Sequence, residues 1–361
     1  MKKTLFMVVI FALLLTMNSF GQNRSTVNKY VNMMAKAKVT QSSLSGLGLP
    51  YIAGTWYYVD AHDGDDDYNG LTPDKAFATI PVAYAACTSG DGDGIALISR
   101  TISGTSYSFN LTTRLAWTKY GITMIGIASP NVYFGRARIT HAAAYDSLVA
   151  LLHVTGNNNT FINLHFSNNP ENDGSPVSAT AQVCAVQVGG ARNTFISCHF
   201  FGNPQSATAY KSDLVLRIYS DECRFIDCFF GSSSYNAGNN AACWVFMETG
   251  AMAGQRFFSN CTFLQQVSAG TAFGGIKSGA GTSMNGIDIY EDCNFGIWRA
   301  STSTSGLSAS FFIGTNTGSG CIMMRDCIVA GFTALDAAAG NDKIFTNQPV
   351  GNAAGGIGVT P

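Results

Sequence analysis

The stretch NTFISCHF at residues 193–200 recurs throughout this chain of 361 residues with its pattern intact. Copies are NTFINLHF at 159–166, CRFIDCFF at 223–230, RFFSNCTF at 256–263, DIYEDCNF at 288–295 and IMMRDCIV at 322–329. Their alignment places the following residues in one column, at intervals of 34, 30, 33, 32 and 34 residues: Leu164, Cys198, Cys228, Cys261, Cys293 and Cys327. Repeats of this length are typical of a stacked architecture in which each copy buries a face against the next.

The repeated stretch alternates with a period of two, which predicts a β-strand. We predict that Ile196, Cys198 and Phe200 point inward, and that the intervening side chains point outward, namely Phe195, Ser197 and His199. A second short apolar run follows in each repeat and usually ends at Gly, Asn or Ser, which are turn residues. This pattern predicts an all-β, single-stranded right-handed parallel β-helix of about seven to nine coils. No repeat contains an amphipathic stretch long enough for a packed pair of helices.

Coils that stack at about 4.8 Å place equivalent side chains directly above one another. The cysteine column then becomes an internal ladder, and so does a phenylalanine column at Phe166, Phe200, Phe230, Phe263 and Phe295. Neighbouring cysteines would lie within disulfide range, but their parallel Cβ vectors and their competition for the same sulfurs oppose pairing. We therefore predict reduced, inward-facing thiols.

The two ends of the chain differ from the repeats. Lys2, Lys3, the apolar residues 5–15 and the sequence Ser19-Phe20-Gly21 predict a secretory signal peptide over residues 1–21, and hence an extracellular protein. A retained N-terminal anchor is the alternative. We predict a flexible or partner-bound arm at 22–54, the parallel β-helix at 55–335 and a C-terminal cap or tail at 336–361. Residues 79–87 have helical spacing and predict a short helix that caps the open end of the solenoid.

The composition argues against a nucleic-acid partner. Charged residues make up 12% of the chain, the formal net charge is −1, and Lys and Arg do not cluster in a run. Electrostatic binding of nucleic acid depends on such basic clusters. The scattered charges instead indicate a solvated protein surface.

The opening of the predicted solenoid resembles that of pectin-lyase-like β-helix proteins. The resemblance rests on Val59-Asp60 followed by Gly64-Asp65, Asn69-Gly70, Thr72-Pro73 and Ala78-Thr79-Ile80. Over about residues 55–361 the chain is most similar to the members encoded by tailed bacteriophages and prophages, through this opening and residues 121–126, 136–141 and 351–359. The resemblance implies a virion surface or decoration protein that forms trimers. The predicted export signal departs from it, because virions assemble in the cytoplasm.

The densest acidic cluster follows the first predicted strand. Its oxygen donors are spaced as Ca²⁺ ligands can be, and the candidates are Asp60, Asp63, Asp65, Asp67 and Asn69. The spacing is not that of an EF-hand, because Gly64 and Gly70 occupy the wrong positions. A bound Ca²⁺ is therefore one hypothesis, and a turn rich in Asp, Asn and Gly is the other.

A polar residue precedes the cysteine column in six repeats: Asn163, Ser197, Asp227, Asn260, Asp292 and Asp326. Asp292 and Asp326 would lie about 5 Å apart on neighbouring coils, which is the separation found in retaining glycosidases. We therefore consider Asp227, Asp292 and Asp326 as candidate catalytic residues. A surface ladder of hydrogen-bonded Asn and Asp side chains is the alternative. Intact catalytic motifs of the pectin-degrading enzymes are absent, which favours a protein without catalytic activity.

His165 and His199 occupy the column after the cysteines and should stack on the outer surface. Two imidazoles could hold a metal ion, but the next repeat offers Phe229 instead of a third ligand. We therefore predict ordinary surface residues here, with a metal site as the alternative.

Three functions are compatible with these patterns. The first is a non-catalytic β-helix module, either a phage-type virion surface protein or an exported equivalent that contacts cell-envelope proteins. The second is a secreted β-helix protein that binds or degrades polysaccharide by lyase or glycoside hydrolase chemistry. In that case sugar rings could stack on Trp244, Trp298 or Tyr290. The third, an adhesin or a self-assembling fibre subunit, rests on the predicted shape alone.

We expect the native protein in culture medium or cell-envelope fractions to begin at Gln22, because signal peptidase should cleave after Gly21. Intact-mass measurement of separated medium, envelope and particle fractions checks this prediction. An unprocessed chain in purified phage particles would contradict export and would support the virion hypothesis.

Overall fold

The computed structural model describes residues 52–102, 105–127, 136–143, 148–168, 183–202, 211–237, 243–248, 250–267, 273–279, 282–299, 310–314, 318–332, 334–336 and 344–346. The predicted signal peptide, most of the predicted arm and most of the predicted C-terminal tail lie outside these residues. Within them, no helix is long and apolar enough to cross a membrane.

Three parallel sheets form the body of the protein. The first sheet has ten strands, in the order Trp56–Asp60, Gly94–Ile98, Thr123–Ile127, Thr160–Ile162, Thr194–Ile196, Arg224–Ile226, Gln255–Ser259, Ile287–Glu291, Cys321–Arg325 and Ile344–Thr346. The second sheet has eight, namely Phe109–Leu111, Ala137–His141, Leu164–Ser167, His199–Phe201, Phe229–Ala237, Thr262–Val267, Asn294–Arg299 and Ile328–Ala330. The third sheet also has eight, namely Leu115–Trp117, Leu152–Val154, Val183–Val188, Lys211–Leu216, Cys243–Met247, Gly274–Ser278, Ser310–Ile313 and Ala334–Asp336.

The chain visits the first, second and third sheets in turn and then begins the next coil, so the predicted parallel β-helix is confirmed. Eight coils run through all three sheets, and the first sheet has one additional strand at each end of the solenoid, Trp56–Asp60 and Ile344–Thr346. Two small pairs complete the described strands: Ala251–Met252 lies parallel to Ser283–Met284, and Thr101–Ile102 lies antiparallel to Thr105–Ser106.

The predicted capping helix is confirmed at Ile80–Ala86, after a 3-10 turn at Pro73–Lys75. It follows the first strand of the first sheet, where the second and third sheets have not yet begun. Its buried residues are Ile80, Ala83 and Tyr84. The ring of Tyr84 lies 4.3 Å from that of Trp117, so the helix closes the apolar interior at this end.

A one-residue bend joins each strand of the first sheet to the next strand of the second. Its backbone is left-handed in six coils, with φ of 55° at Asn163, 51° at Ser197, 55° at Asp227, 52° at Asn260, and 53° at both Asp292 and Asp326. Asn, Asp and Ser are common in such bends because their short polar side chains can hydrogen-bond locally. The bend also extends the hydrogen-bond ladder, since Ser197 N–H donates to Ile226 O of the next coil at 2.9 Å.

This bend corrects one prediction about the repeated stretch. The alternation restarts after Ser197, so Phe195 points into the core and Ile196 points outward. Cys198 and Phe200 point inward and His199 outward, as predicted. The correction adds a second aromatic ladder to the interior, in which the rings of Phe195 and Phe225 stack at a centroid distance of 5.1 Å.

The cysteine ladder is internal, as predicted, and the structure contains all ten cysteines of the chain as free thiols. Each ladder thiol donates a weak hydrogen bond to a carbonyl of the preceding coil. Cys198 Sγ lies 3.4 Å from Phe161 O, and Cys261 Sγ lies 3.3 Å from Phe225 O. The ladder therefore supplies hydrogen bonds beside the bend as well as apolar packing.

The first position of the repeated stretch forms a polar column inside the solenoid. Asn159 Nδ2 donates to Asn193 Oδ1 at 3.1 Å, and Asn193 Nδ2 donates to Gly156 O at 2.9 Å. Two coils further on, Arg256 and Asp288 form an ion pair with both side chains fully buried. Buried polar groups need such partners, because an unmet hydrogen bond in the interior costs about 1–3 kcal/mol.

Replacing Asp292 by valine should lower the free energy of unfolding by about 1–2 kcal/mol, because a branched side chain is strained in the left-handed region. Asp292→Gly should change it by less than about 1 kcal/mol, since glycine adopts this backbone freely. Urea denaturation of both variants checks the prediction. Equal losses for valine and glycine would show that the side chain of Asp292, and not its backbone, stabilises the coil.

Candidate functional site

The outer face of the third sheet carries a polar network that we call the His153 face; it comprises Arg114, His153, Gln187, Arg217 and Glu248. His153 lies in the strand Leu152–Val154, whose two flanking residues point into the core. Its outward neighbours along the sheet are Gln187 and then Val215. The alternation of the strands therefore presents one row of side chains to the outside of the solenoid.

Arg217 lies at the centre of the His153 face, just after the strand Lys211–Leu216. Its Nη1 lies 3.0 Å from His153 Nε2, and its Nε donates to Glu248 Oε2 at 2.7 Å. The contact with His153 passes over the coil that contains Gly189. A Cβ at Gly189 would lie 3.4 Å from Arg217 Cβ, already in van der Waals contact, so a larger side chain there would obstruct Arg217.

The electrostatics of the network fix the state of the histidine. Burial lowers the pKa of His153, and the nearby guanidinium groups of Arg114 and Arg217 lower it further, whereas Glu248 raises it. At neutral pH the ring is therefore uncharged, and its Nε2 accepts the hydrogen bond from Arg217. We assign the ring proton to Nδ1 on the basis of this contact.

Arg217 is thereby held in one orientation by an acceptor on each side. The two contacts use Nε and one N–H of Nη1, and the side chain remains 38% exposed. A guanidinium has five N–H donors in a rigid planar fork, so the remaining donors can bind a carboxylate or sulfate. Arg114, which is also exposed, adds a second positive charge to this face.

The predicted catalytic residues lie elsewhere, at the left-handed bends between the first and second sheets. The side chain of Asp227 accepts a hydrogen bond from Asn260 Nδ2 of the next coil. Asp292 and Asp326 are exposed and follow one another along the column. The structure does not bring these carboxylates to the His153 face, and a catalytic role for them stays a prediction.

Two of the three proposed sugar-stacking aromatics are core residues, so that interpretation is wrong for them. Trp244 and Tyr290 are fully buried, and the Tyr290 ring stacks on that of Phe258 at 4.5 Å. Trp298 is partly exposed on the second sheet, beside Gln266 of the neighbouring strand. The burial of Tyr290 follows from its position in the second aromatic ladder, which strict alternation places outside.

The carboxylates of the predicted calcium loop make contacts within the protein. Asp60 is buried and accepts hydrogen bonds from the backbone N–H groups of His62 and Asp63. Its carboxylate also forms an ion pair with Arg100 at 2.6 Å. Farther along, two side chains accept bonds from the backbone two residues ahead: Asp65 from Asp67 N–H and Asn69 from Leu71 N–H. In the part of the chain that the structure describes, no three His, Cys, Asp or Glu side chains are grouped as a metal site would require. Calcium binding here stays a prediction.

The sequence patterns did not predict the His153 face, although its ion pair between Arg217 and Glu248 can be recognised in the sequence. Arg217 and Glu248 each follow the apolar run of their repeat, 31 residues apart, and their N–H groups bond to the preceding coil in the same way. Equivalent positions of adjacent repeats lie one above the other, so opposite charges at these positions predict an ion pair between neighbouring coils. Nothing in the sequence indicates His153, because Arg217 reaches it diagonally across an intervening coil.

Comparison with known proteins identifies the fold. No family model matches this chain, and no curated protein does. A solved structure of a pectin methylesterase in complex with a hexasaccharide is 16% identical, with a TM-score of 0.51, and the match covers 81% of this chain and 89% of that one. A mutant of pectin methylesterase, also in complex with a hexasaccharide, is 17% identical, with a TM-score of 0.52 and the same coverage.

Pectin methylesterase PemA from Erwinia chrysanthemi is 16% identical with a TM-score of 0.48, and the match covers 84% of this chain and 85% of that one. At this level of identity the likeness of the first two structures shows the fold alone. The chain has the right-handed parallel β-helix of the pectin-lyase-like type, as its opening segment suggested. A particular relationship to phage-encoded β-helix proteins stays a prediction.

We expect substitutions in the network to shift the pKa of His153 in opposite directions. Glu248→Gln should lower it, because Glu248 raises it, and Arg217→Met should raise it by removing a neighbouring positive charge. An NMR titration of the imidazole resonances checks this. Glu222→Gln, at an exposed glutamate paired with Arg192, is the matched control and should leave His153 unchanged. Shifts of the same sign in both network variants would contradict the described arrangement.

Proposed function

We propose that this protein is an exported carbohydrate-binding β-helix that binds an acidic polysaccharide along its His153 face. The observation that carries the proposal is the orientation of Arg217, whose guanidinium is held between His153 and Glu248 with N–H donors to spare. Uronate carboxylates and sulfate esters are the groups that such a planar fork binds best. Recognition of acidic sugars follows from that chemistry.

The regular spacing of strands in the third sheet supports the proposal that the ligand is an extended chain. Its strands repeat at about 4.8 Å, so equivalent side chains form straight rows along the solenoid. The row that begins at His153 continues through Gln187 and Val215 to Phe246, which is partly exposed. Gln187 and Val215 are buried, so a ligand would meet this row at His153 and at Phe246, whose partly exposed ring can contact the apolar face of a sugar.

The fold comparison also supports this proposal. The two pectin methylesterase structures each hold a hexasaccharide, so a parallel β-helix of this type can present a surface to a chain of six sugars. The likeness concerns the fold, and the case for this chain therefore rests on its own residues.

The His153 face is better suited to binding than to cleavage. A glycoside hydrolase needs two carboxyl groups on either side of the scissile bond, and Glu248 is the one carboxylate of this network. That carboxylate is engaged by Arg217. We therefore propose binding without hydrolysis at this face.

Binding to polygalacturonate, with dextran as the uncharged comparison, tests the proposal. Arg217→Met should weaken binding by about tenfold to a hundredfold, because a hydrogen bond to a charged group contributes about 1.5–3 kcal/mol. Arg192→Met is the matched control, since Arg192 is an exposed arginine paired with Glu222 outside this face. Affinity electrophoresis or calorimetry at two salt concentrations gives the affinities. Equal binding of dextran, or equal weakening by both substitutions, would overturn the proposal.

The same polymers test for cleavage. We propose that chain length and reducing ends remain unchanged on incubation with the wild-type protein. Cleavage that disappears in Asp292→Asn but persists in Arg217→Met would move the active site to the column of exposed carboxylates. That result would favour the polysaccharide-degrading hypothesis over binding alone.

A role on a virion or on the cell envelope stays a prediction from sequence resemblance, and so does trimer formation. Export, which the proposed function requires, rests on the predicted signal peptide. A polysaccharide-binding face is compatible with either location, because host surfaces and envelopes both carry acidic glycans. The mass measurement of separated fractions distinguishes the two locations.

A further inference from the structure

The outer face of the second sheet contains a second group of basic residues, separate from the His153 face. Strand pairing places Arg138, His165, His199 and Phe229 in one outward row on four successive coils. The imidazole rings of His165 and His199 stack at a centroid distance of 4.2 Å, only 9° from parallel. The ring of Phe229 is the last in the row; it is perpendicular to the ring of His199, at a centroid distance of 4.7 Å.

Two guanidinium groups flank the stacked imidazoles. Arg138 is the strand neighbour of His165, and its Nη2 lies 3.3 Å from Ser167 Oγ. Arg136 crosses towards the bend, where its Nε donates to Ser197 O at 2.6 Å, two residues before His199. Two positive charges are thus held close to the same pair of rings, one along the row and one at its side.

Both rings are uncharged at neutral pH. The pKa of His199 is lowered to about 3, chiefly by burial and also by Arg136 and Arg138, although its hydrogen bond to Gly231 raises it. Burial also lowers the pKa of His165 well below the ordinary value, with further lowering by His199, Arg138 and Arg136. A neutral imidazole carries one N–H donor and one acceptor.

The two imidazoles differ in their hydrogen bonds. His199 Nε2 lies 2.8 Å from Gly231 O, so it carries the proton and donates to that carbonyl. His165 Nε2 is buried and has no hydrogen-bond partner among the described residues. A buried polar atom without a partner costs about 1–3 kcal/mol, so a hydrogen bond from this ring nitrogen to a bound group would be favourable.

The charge around the rings determines the sign of that ligand. The ion pairs formed by the described residues do not include Arg138. Arg136 and Arg138 are the charged groups that shift the pKa values of both histidines, and both lower them. A metal cation would be repelled by this environment, while an anion would be attracted.

We propose that Arg136, Arg138 and His165 form a binding site for a small oxyanion of the sulfate or phosphate class. The anion accepts hydrogen bonds from the Arg138 guanidinium and from His165, whose ring proton we assign to Nε2 in this complex, and Arg136 adds charge at its side. The site is on a different sheet from the His153 face, so it does not depend on the proposed polysaccharide binding. Its ligand is a free ion or the same group carried as an ester.

Titration with inorganic sulfate and with inorganic phosphate tests this site, with ionic strength held constant by sodium chloride. NMR of the imidazole resonances should show a saturable shift of His165 with one of these anions or both. Arg138→Met should weaken the binding at least fivefold, and Arg138→Lys should weaken it less because it keeps the charge. Arg224→Met, at an exposed arginine on the first sheet, is the control and should leave the affinity unchanged.

A second variant separates the missing donor from the packing of the rings. His165→Phe keeps an aromatic ring on His199 but removes the N–H, so the response of His199 to the anion should disappear while the protein stays folded. A shift that never saturates, one that chloride reproduces, or one that is unchanged in both Arg138→Met and His165→Phe would overturn the site.

Discussion

The left-handed bend between the first and second sheets is the constraint on which the rest of the coil depends. It uses one residue, and its φ of 51–55° is nearly constant over the six coils from Asn163 to Asp326. A single bent residue reverses which side of the chain faces inward, so the strands on either side of it both point apolar side chains into the core. Two aromatic ladders and the cysteine ladder follow from this geometry, because each bend lies directly above the last.

The bend also determines where polar groups enter the interior. The position at the start of the repeated stretch faces inward at the corner where the chain returns from the third sheet. Asparagine there bonds to backbone carbonyls and to the next asparagine, as Asn159 and Asn193 do. Arg256 and Asp288 replace this ladder with a buried ion pair. Removing one member would leave a buried charge unpaired, whereas the intact pair fits only one register of the stack.

Much of this architecture was predictable from the sequence, for a physical reason. Stacking repeats a side-chain environment every 30 to 34 residues, so residues such as Cys198 and Phe200 align with their equivalents in the sequence itself. The orientation of Phe195 was not predictable by strict alternation, because the bend at Ser197 interrupts the period of two. The capping helix was recognisable because its spacing changes from that of strands to that of a helix.

The outer faces were harder to predict because their contacts run diagonally. Core residues meet their equivalents on the next coil, but Arg217 meets His153 two coils away, and Arg136 meets Ser197 across the coil of Asn163. Such contacts depend on side-chain length and on a small residue between the partners, as at Gly189. The core therefore determines where each outward side chain begins, and long arginines then assemble sites that the spacing of the repeats does not show.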